Sequence, residues 1–258
     1  MGHPAFDLNS KTAVVIGGTT GIGLALSKGL AQAGANVVPT GRRPEQVHKA
    51  AEEVRKIGRA TLEFPSDVTS DASLQALCSA AQKQFGEVQI LVNCAGITKR
   101  TPSLQVSSEE WNSILETNLN GTFRACQIFG RHMIGRKYGR IINIASLASS
   151  VGLNEVAAYT ASKAGVAGLT RALAIEWAKF GVCVNAIAPG VFRTELNASL
   201  LDGTARGEEF RLRTPMRRFG NLDELAGAAV FLASEAASFI TGHLLAVDGG
   251  FLASGVNQ

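Results

Sequence analysis

The sequence predicts an α/β protein: an open, doubly wound parallel sheet with helices on both faces. Three observations carry that expectation. Short β-branched apolar runs alternate with longer helix-patterned stretches; runs such as VVI, ILV and IINI are apolar without a break, as strands buried on both faces are; and no internal repeat or low-complexity linker interrupts the rhythm. A chain of 258 residues with 46% hydrophobic content can bury one large core, so residues 1–258 are expected to form a single domain.

The strand-like runs fall at 12–17, 35–40, 60–65, 88–93, 139–145, 182–188 and 243–248. They predict about seven strands, in the doubly wound order 3-2-1-4-5-6-7. The first runs into Gly17-Gly18-Thr19-Thr20-Gly21-Ile22-Gly23, which opens the helical stretch LALSKGLAQAG. Glycines at 17, 21 and 23 permit a tight turn and close backbone approach, so that a pyrophosphate can sit on N–H groups at a helix N-terminus. Gly17, Thr19, Thr20, Gly21, Ile22 and Gly23 are therefore candidate dinucleotide-binding residues. Such a turn alone is common; its place between a first strand and an amphipathic helix gives it meaning.

The second strand ends at Thr40-Gly41-Arg42-Arg43, where folds that select NAD place an acid for the ribose 2′-hydroxyl. With no acid present and two guanidinium groups available to a 2′-phosphate, NADP is the expected cofactor and NAD the lesser alternative. A charge-assisted hydrogen bond of this kind contributes roughly 1.5–3 kcal/mol. Asp67 and Val68, after the third strand, offer a carboxylate and backbone groups to an adenine. Asn93, Ala95 and Gly96 supply small residues where a cofactor passes close to the chain.

Ser146 follows the fifth strand, and thirteen residues later Tyr159-Thr160-Ala161-Ser162-Lys163 opens a long helix. Tyr159 and Lys163 are one helical turn apart and share a face. A cation about 4 to 5 Å from a phenol at an effective dielectric of 20 favours the phenolate by roughly 3 to 4 kcal/mol, which makes the phenol a usable acid or base near neutrality. Tyr159 would then exchange a proton with a substrate oxygen as hydride moves, Ser146 would hold that oxygen, Lys163 would contact the nicotinamide ribose, and Asn118 would anchor a water leading from Lys163 to solvent. The chemistry that fits is interconversion of a ketone and a secondary alcohol.

Taken together, GGTTGIG, Asp67-Val68, NCAG at 93, Asn118, Ser146, YTASK at 159 and PGVFRT at 189–194 resemble the short-chain dehydrogenase/reductase family over essentially the whole chain. Two positions depart: Ile16 stands where the family often has Thr, and Cys94 replaces a frequent second Asn. The resemblance implies a Rossmann-like sheet, places Pro189, Gly190, Val191 and Thr194 along the nicotinamide amide, and assigns the VDGG end at 247–250 to a homotetramer interface.

The segment Ile97-Thr98-Lys99-Arg100-Thr101-Pro102 after NCAG, together with RTPMRRFG at 213–220, looks like members acting on sugar acids and polyols, such as gluconate and deoxygluconate dehydrogenases. Lys99 and Arg100 are the candidates to pair with a substrate carboxylate. Residues 190–215, polar and without a β-run, form a candidate substrate lid. Two other readings stay open. A 3-oxoacyl-[acyl-carrier-protein] reductase would share the catalytic motifs and need a basic docking surface, for which Arg131, Arg136, Lys137 and Arg171 are available. A catalytically silent, cofactor-binding regulator would be expected to lack Tyr159 or Lys163.

Composition narrows the remaining classes. Twenty-five basic and 21 acidic residues leave a formal net charge of +4 without long runs, so no nucleic-acid partner is expected. Cys78, Cys94, Cys126 and Cys183 form no CxxC pair and have no neighbouring His, which argues against a metal site or a disulfide framework. The N-terminal stretch lacks a basic-then-apolar signal pattern, and no apolar run approaches the roughly 18 residues needed to span a bilayer. A cytoplasmic enzyme acting on a small molecule, with no membrane partner, is the expectation.

Overall fold

In the computed structural model, which describes residues 3–194 and 197–256, six strands form one parallel sheet. They are β1 (Thr12–Ile16), β2 (Asn36–Thr40), β3 (Ile90–Asn93), β4 (Gly139–Ile144), β5 (Val182–Pro189) and β6 (Leu244–Val247), in the spatial order β2-β1-β3-β4-β5-β6. Nine helices accompany them among the described residues: α1 (Gly21–Gln32), α2 (Pro44–Lys56), α3 (Asp71–Phe85), α4 (Ser108–Leu115), α5 (Gly121–Arg136), α6 (Ala157–Trp177), α7 (Ala198–Leu201), α8 (Ala205–Arg213) and α9 (Leu222–Ala233). A π-helical turn, Glu116–Asn120, joins α4 to α5.

The sheet is doubly wound because its strands are apolar on both faces. In β1, Ala13 and Val15 join a cluster with Leu26 and Leu30 of α1 and Leu225 and Leu232 of α9. Val14 and Ile16 point the other way, into a cluster with Leu74 and Leu77 of α3, Phe129 and Met133 of α5, and Leu173 and Trp177 of α6. Each fully buried large side chain among these contributes about 1.5–3 kcal/mol relative to exposure. Helix starts are set locally. The Ser70 and Ser107 hydroxyls accept from Ser73 N and Glu110 N, Pro44 opens α2, and Asn221 with Glu224 forms a reciprocal capping box on α9.

One expected strand is absent. Residues 60–65 run beside β2 but form no ladder, so the sheet has six strands rather than seven. The cause lies in β2. Val37 N donates to Ala60 O at 3.1 Å, but Pro39, two residues on and facing the same side, has no N–H with which to continue. The segment is held instead by the Thr40 hydroxyl donating to Phe64 O and by Ser66 N donating to Gly41 O at 3.0 Å.

Candidate active site

The turns after β1, β2, β3, β4 and β5 all leave the carboxyl ends of parallel strands, the edge at which open α/β sheets meet their ligands. Gly17 N and Gly18 N both donate to Thr40 O, at 2.9 and 3.0 Å, which ties the glycine turn to the end of β2. Gly17 has φ +78°, and a Cβ there would stand 2.5 Å from Ala95 N, so the turns after β1 and β3 touch backbone to backbone. Gly21, at φ +51°, is less crowded: a Cβ there would make ordinary contact with the Thr194 methyl, at 3.5 Å. Thr20 caps α1 without a side-chain hydrogen bond. Gly17, Ala95, Gly21 and Thr194 thus bound one cradle at a helix start. Pro189 closes β5, and Gly190 N donates to Val247 O at 2.8 Å, which fixes the approach of this segment.

Arg42 and Arg43 are exposed and enter no salt bridge among the described residues. A Cβ on Gly41 would meet Thr19 Oγ1 at 3.2 Å, so the arginines begin directly beside the glycine turn. A dinucleotide with a 2′-phosphate fits these features: an open cradle for its pyrophosphate and two cations without a salt-bridge partner. Asp67 accepts from Thr69 N and Thr69 Oγ1 at 2.9 and 2.8 Å, and these bonds, with Arg42 nearby, hold its carboxyl below the usual range. Val68 is buried against Gly121, at the start of α5. The Asn93 side chain is committed to the core, where Nδ2 donates to Asn143 Oδ1 at 2.8 Å; only its backbone remains for the cleft.

Asn118 sits fully buried in the π turn. Its Oδ1 accepts from Ile97 N at 2.8 Å, while Nδ2 donates to Ile97 O at 2.9 Å and to Ser162 Oγ at 3.0 Å. Ser162 in turn donates to Tyr159 O at 2.7 Å. A Cβ on Gly96 would lie 3.4 Å from Asn118 Oδ1 and 3.6 Å from Lys163 Nζ, so these three residues share one small space. Lys163 is buried and donates to Ile144 O at 2.7 Å, two residues before Ser146. Ser146 Oγ accepts from Ala148 N at 3.1 Å, which fixes its rotamer.

The electrostatics differ from the sequence expectation. Burial raises the Tyr159 phenol above its ordinary pKa, with the nearby Ser146 hydroxyl pulling the other way. The expected cation effect of Lys163 does not prevail, because the ammonium lies 5.8 Å from the centre of the Tyr159 ring and is engaged with a carbonyl. Burial also lowers Lys163 to about 8 and pushes the adjacent Cys94 thiol up to about 11. Cys94 is therefore a neutral thiol beside Lys163.

Neither basic residue proposed for substrate is unpaired. Lys99 Nζ lies 2.7 Å from Glu110 Oε2, and Arg100 Nε lies 2.5 Å from Glu155 Oε2. Glu155 has φ +63°, a left-handed conformation that costs a non-glycine residue on the order of 1–3 kcal/mol. Thr101 N donates to Glu155 O at 2.8 Å, so the loop after β3 is clasped to the loop that leads into α6.

Residues 17–252 match the family model described as Enoyl-(Acyl carrier protein) reductase. The chain is 43% identical over 252 residues to the 2-dehydro-3-deoxy-D-gluconate 5-dehydrogenase of Bacillus subtilis, covering 97% of this chain and 98% of the relative. It is 41% identical over 246 residues to the D-threitol dehydrogenase of Mycolicibacterium smegmatis, covering 95% and 94%. A crystal structure of a gluconate 5-dehydrogenase from Burkholderia cenocepacia in complex with NADP and tartrate superposes with a TM-score of 0.93 at 39% identity, covering 97% of this chain and 98% of that one. The chain belongs to the short-chain dehydrogenase/reductase family.

Three features of this short-chain dehydrogenase/reductase escaped the sequence reading. The π turn holding Asn118 leaves no trace in apolar periodicity, although a buried polar residue between two amphipathic helices was a signal. Ser162 lies inside YTASK, and its spacing from Tyr159 is that of a helical back-bond to a carbonyl. The left-handed Glu155 is not a residue type that favours that conformation, so nothing local announced it.

Proposed function

We propose that this short-chain dehydrogenase/reductase interconverts a ketone and a secondary alcohol on a sugar acid or a polyol, using NADP in preference to NAD. The observation that carries the reading is the meeting of Ser146, Tyr159 and Lys163 at the end of β4, beside a glycine cradle and two exposed arginines. The names of the relatives, which act on deoxygluconate, gluconate and threitol, support the substrate class.

When bound, the nicotinamide supplies or accepts hydride at the substrate carbon. Gly17, Thr19, Thr20, Gly21, Ile22 and Gly23 would hold the pyrophosphate, Arg42 and Arg43 the 2′-phosphate, Asp67 and Val68 the adenine, and Pro189, Gly190, Val191 and Thr194 the amide. In reduction, the Tyr159 hydroxyl gives its proton to the carbonyl oxygen, so that the hydride and this proton together complete the alcohol. Ser146 Oγ–H donates to the same oxygen and stabilises the charge that develops on it. In oxidation Tyr159 takes the proton back. Lys163 would orient the nicotinamide ribose, and Asn118 holds the loop at Ile97 and would anchor a water on a path from Lys163 to solvent.

Residues 190–215 are proposed as the substrate lid; residues 195 and 196 lie outside the described residues. The Arg193–Asp202 pair, with Nε 2.9 Å from both carboxylate oxygens, ties the start of this segment to the end of α7. A homotetramer is proposed as well, supported by apolar side chains exposed on α4, α5 and α6, namely Trp111, Phe123 and Ile175. Light scattering on the purified protein tests it. A cytoplasmic location is supported by four free cysteines, and fractionation of expressing cells tests that.

The test of function is a panel of sugar acids, polyols and acetoacetyl thioesters followed by NADPH absorbance. NADP-linked turnover of a sugar acid or polyol is expected. Turnover confined to the thioester would transfer the protein to the carrier-protein reductases, whose basic docking surface is weakened here by the pairing of Arg136 with Glu87. Silence across the panel would favour the regulator.

A further inference from the structure

Four charged groups stand where the loop after β3 meets the loop before α6. Lys99 is paired with Glu110 of α4, and Arg100 with Glu155. The two carboxylates are placed differently. Glu110 lies in the first turn of α4, on another element, with its side chain only 11% exposed. Glu155 lies four residues before Tyr159, and its carbonyl takes the Thr101 N–H, so its side chain is carried by the same short stretch that positions the catalytic phenol.

The backbone of Glu155 makes its presence more telling. At φ +63° a glycine or asparagine would sit with less strain, yet the position carries a long acid whose carboxylate reaches Arg100. The side chain is half-buried and the guanidinium about half exposed, at 30% and 48%. A pair so placed is weak enough to open, and its arginine is a planar fork suited to a carboxylate from another molecule.

We infer that Glu155 is a specificity-determining residue that occupies Arg100 in place of a substrate carboxylate, so that an anionic substrate must displace it while a neutral polyol need not. The inference rests on the sugar-acid or polyol reading above. In the resting enzyme the loop presents no cation without an acidic partner. A sugar acid gains Arg100 only by exchanging one carboxylate for another, and Glu155 then turns to solvent. A polyol binds with the pair closed and sees no exchange. The ion pair therefore lowers the preference of the site for acids without forbidding them.

The test measures dissociation constants of D-gluconate and D-threitol from the enzyme–NADP complex by calorimetry, for the natural chain, Glu155→Gln, Arg100→Gln and the double variant. Glu155→Gln is expected to lower the D-gluconate constant by about two- to fivefold, the size of an exposed ion pair, and to leave D-threitol unchanged. In the Arg100→Gln background the same substitution is expected to do nothing to D-gluconate, because the two residues act as one unit. Glu155→Gly, which relieves the left-handed backbone, carries the measurement if the glutamine variant does not fold. An equal change for both ligands, or a gain for D-gluconate that persists without Arg100, overturns the inference. If the natural complex binds both ligands and Glu155→Gln shifts neither, this inference falls alone; if the natural complex binds neither, the substrate reading falls with it.

Discussion

The Lys163 ammonium donates to the Ile144 carbonyl at 2.7 Å, and this bond ties α6 to the last residue of β4. Its burial lowers the lysine to about 8, from an ordinary value near 10.5. Below the folded value the charge is a burden on the folded state; between about 8 and 10.5 the unfolded chain holds the proton that the folded chain has lost, so stability gains with rising pH. We expect Lys163→Met to abolish turnover. Its stability relative to the natural chain should fall by up to about 3 kcal/mol as pH rises through that window. Melting curves at both ends check this, and a constant difference would mean that Lys163 is not desolvated.

The raised Tyr159 pKa has a directional effect on rate. Oxidation needs the phenolate and reduction the phenol. The kcat/KM for alcohol oxidation should therefore climb with pH above neutrality, while that for ketone reduction stays level until Tyr159 titrates. Parallel pH profiles in the two directions would contradict this assignment.

Gly17 and Gly21 both have positive φ, but they differ in surroundings. Gly17→Ala would drive a methyl to 2.5 Å from Ala95 N, and we expect a loss of several kcal/mol or failure to fold. Gly21→Ala meets only the Thr194 methyl at 3.5 Å. It should cost about 1 kcal/mol of stability and weaken NADP binding tenfold or more, because the added methyl occupies the cradle. Fluorescence titration with NADPH, alongside melting curves, separates the two effects.

Arg42 and Arg43 are proposed to set the choice of cofactor. Replacing both by Ala should lower kcat/KM for NADPH by about ten- to 150-fold and leave NADH within about twofold. A matching loss with both cofactors would assign the pair to the packing of α2 instead.

Ser146→Ala removes one of the two hydroxyls proposed to hold the substrate oxygen. The expected signature is a fall in kcat of about a hundredfold or more with KM little changed. A change confined to KM would show that Ser146 binds the ground state.

The reach of the sequence can be traced residue by residue. The alternation of buried runs specified the parallel sheet, because VVI, ILV and IINI could be stable only with helices on both faces. The glycine turn and YTASK were legible for the same reason: short-range spacing is fixed by local geometry. What depended on contact between distant segments was not. The run at 60–65 has strand character, yet the missing N–H of Pro39, on a different segment, decided its fate. The same holds for Tyr159, whose proton affinity follows from burial more than from the lysine four residues away, and for Arg100, whose partner lies 55 residues further along the chain.

Pro39 also gives the molecule a direction in which it can grow. A sheet can be lengthened by any strand that reaches a bare edge. At the β2 margin a newcomer finds a position without a donor, and residues 60–65 lie across it. The opposite margin, β6, is a four-residue strand with one hydrogen-bonded neighbour, β5. Among the described residues β6 is thus the margin at which another strand could be added. A sheet with one blunted margin and one open margin can be lengthened from a single side, the side away from the glycine turn.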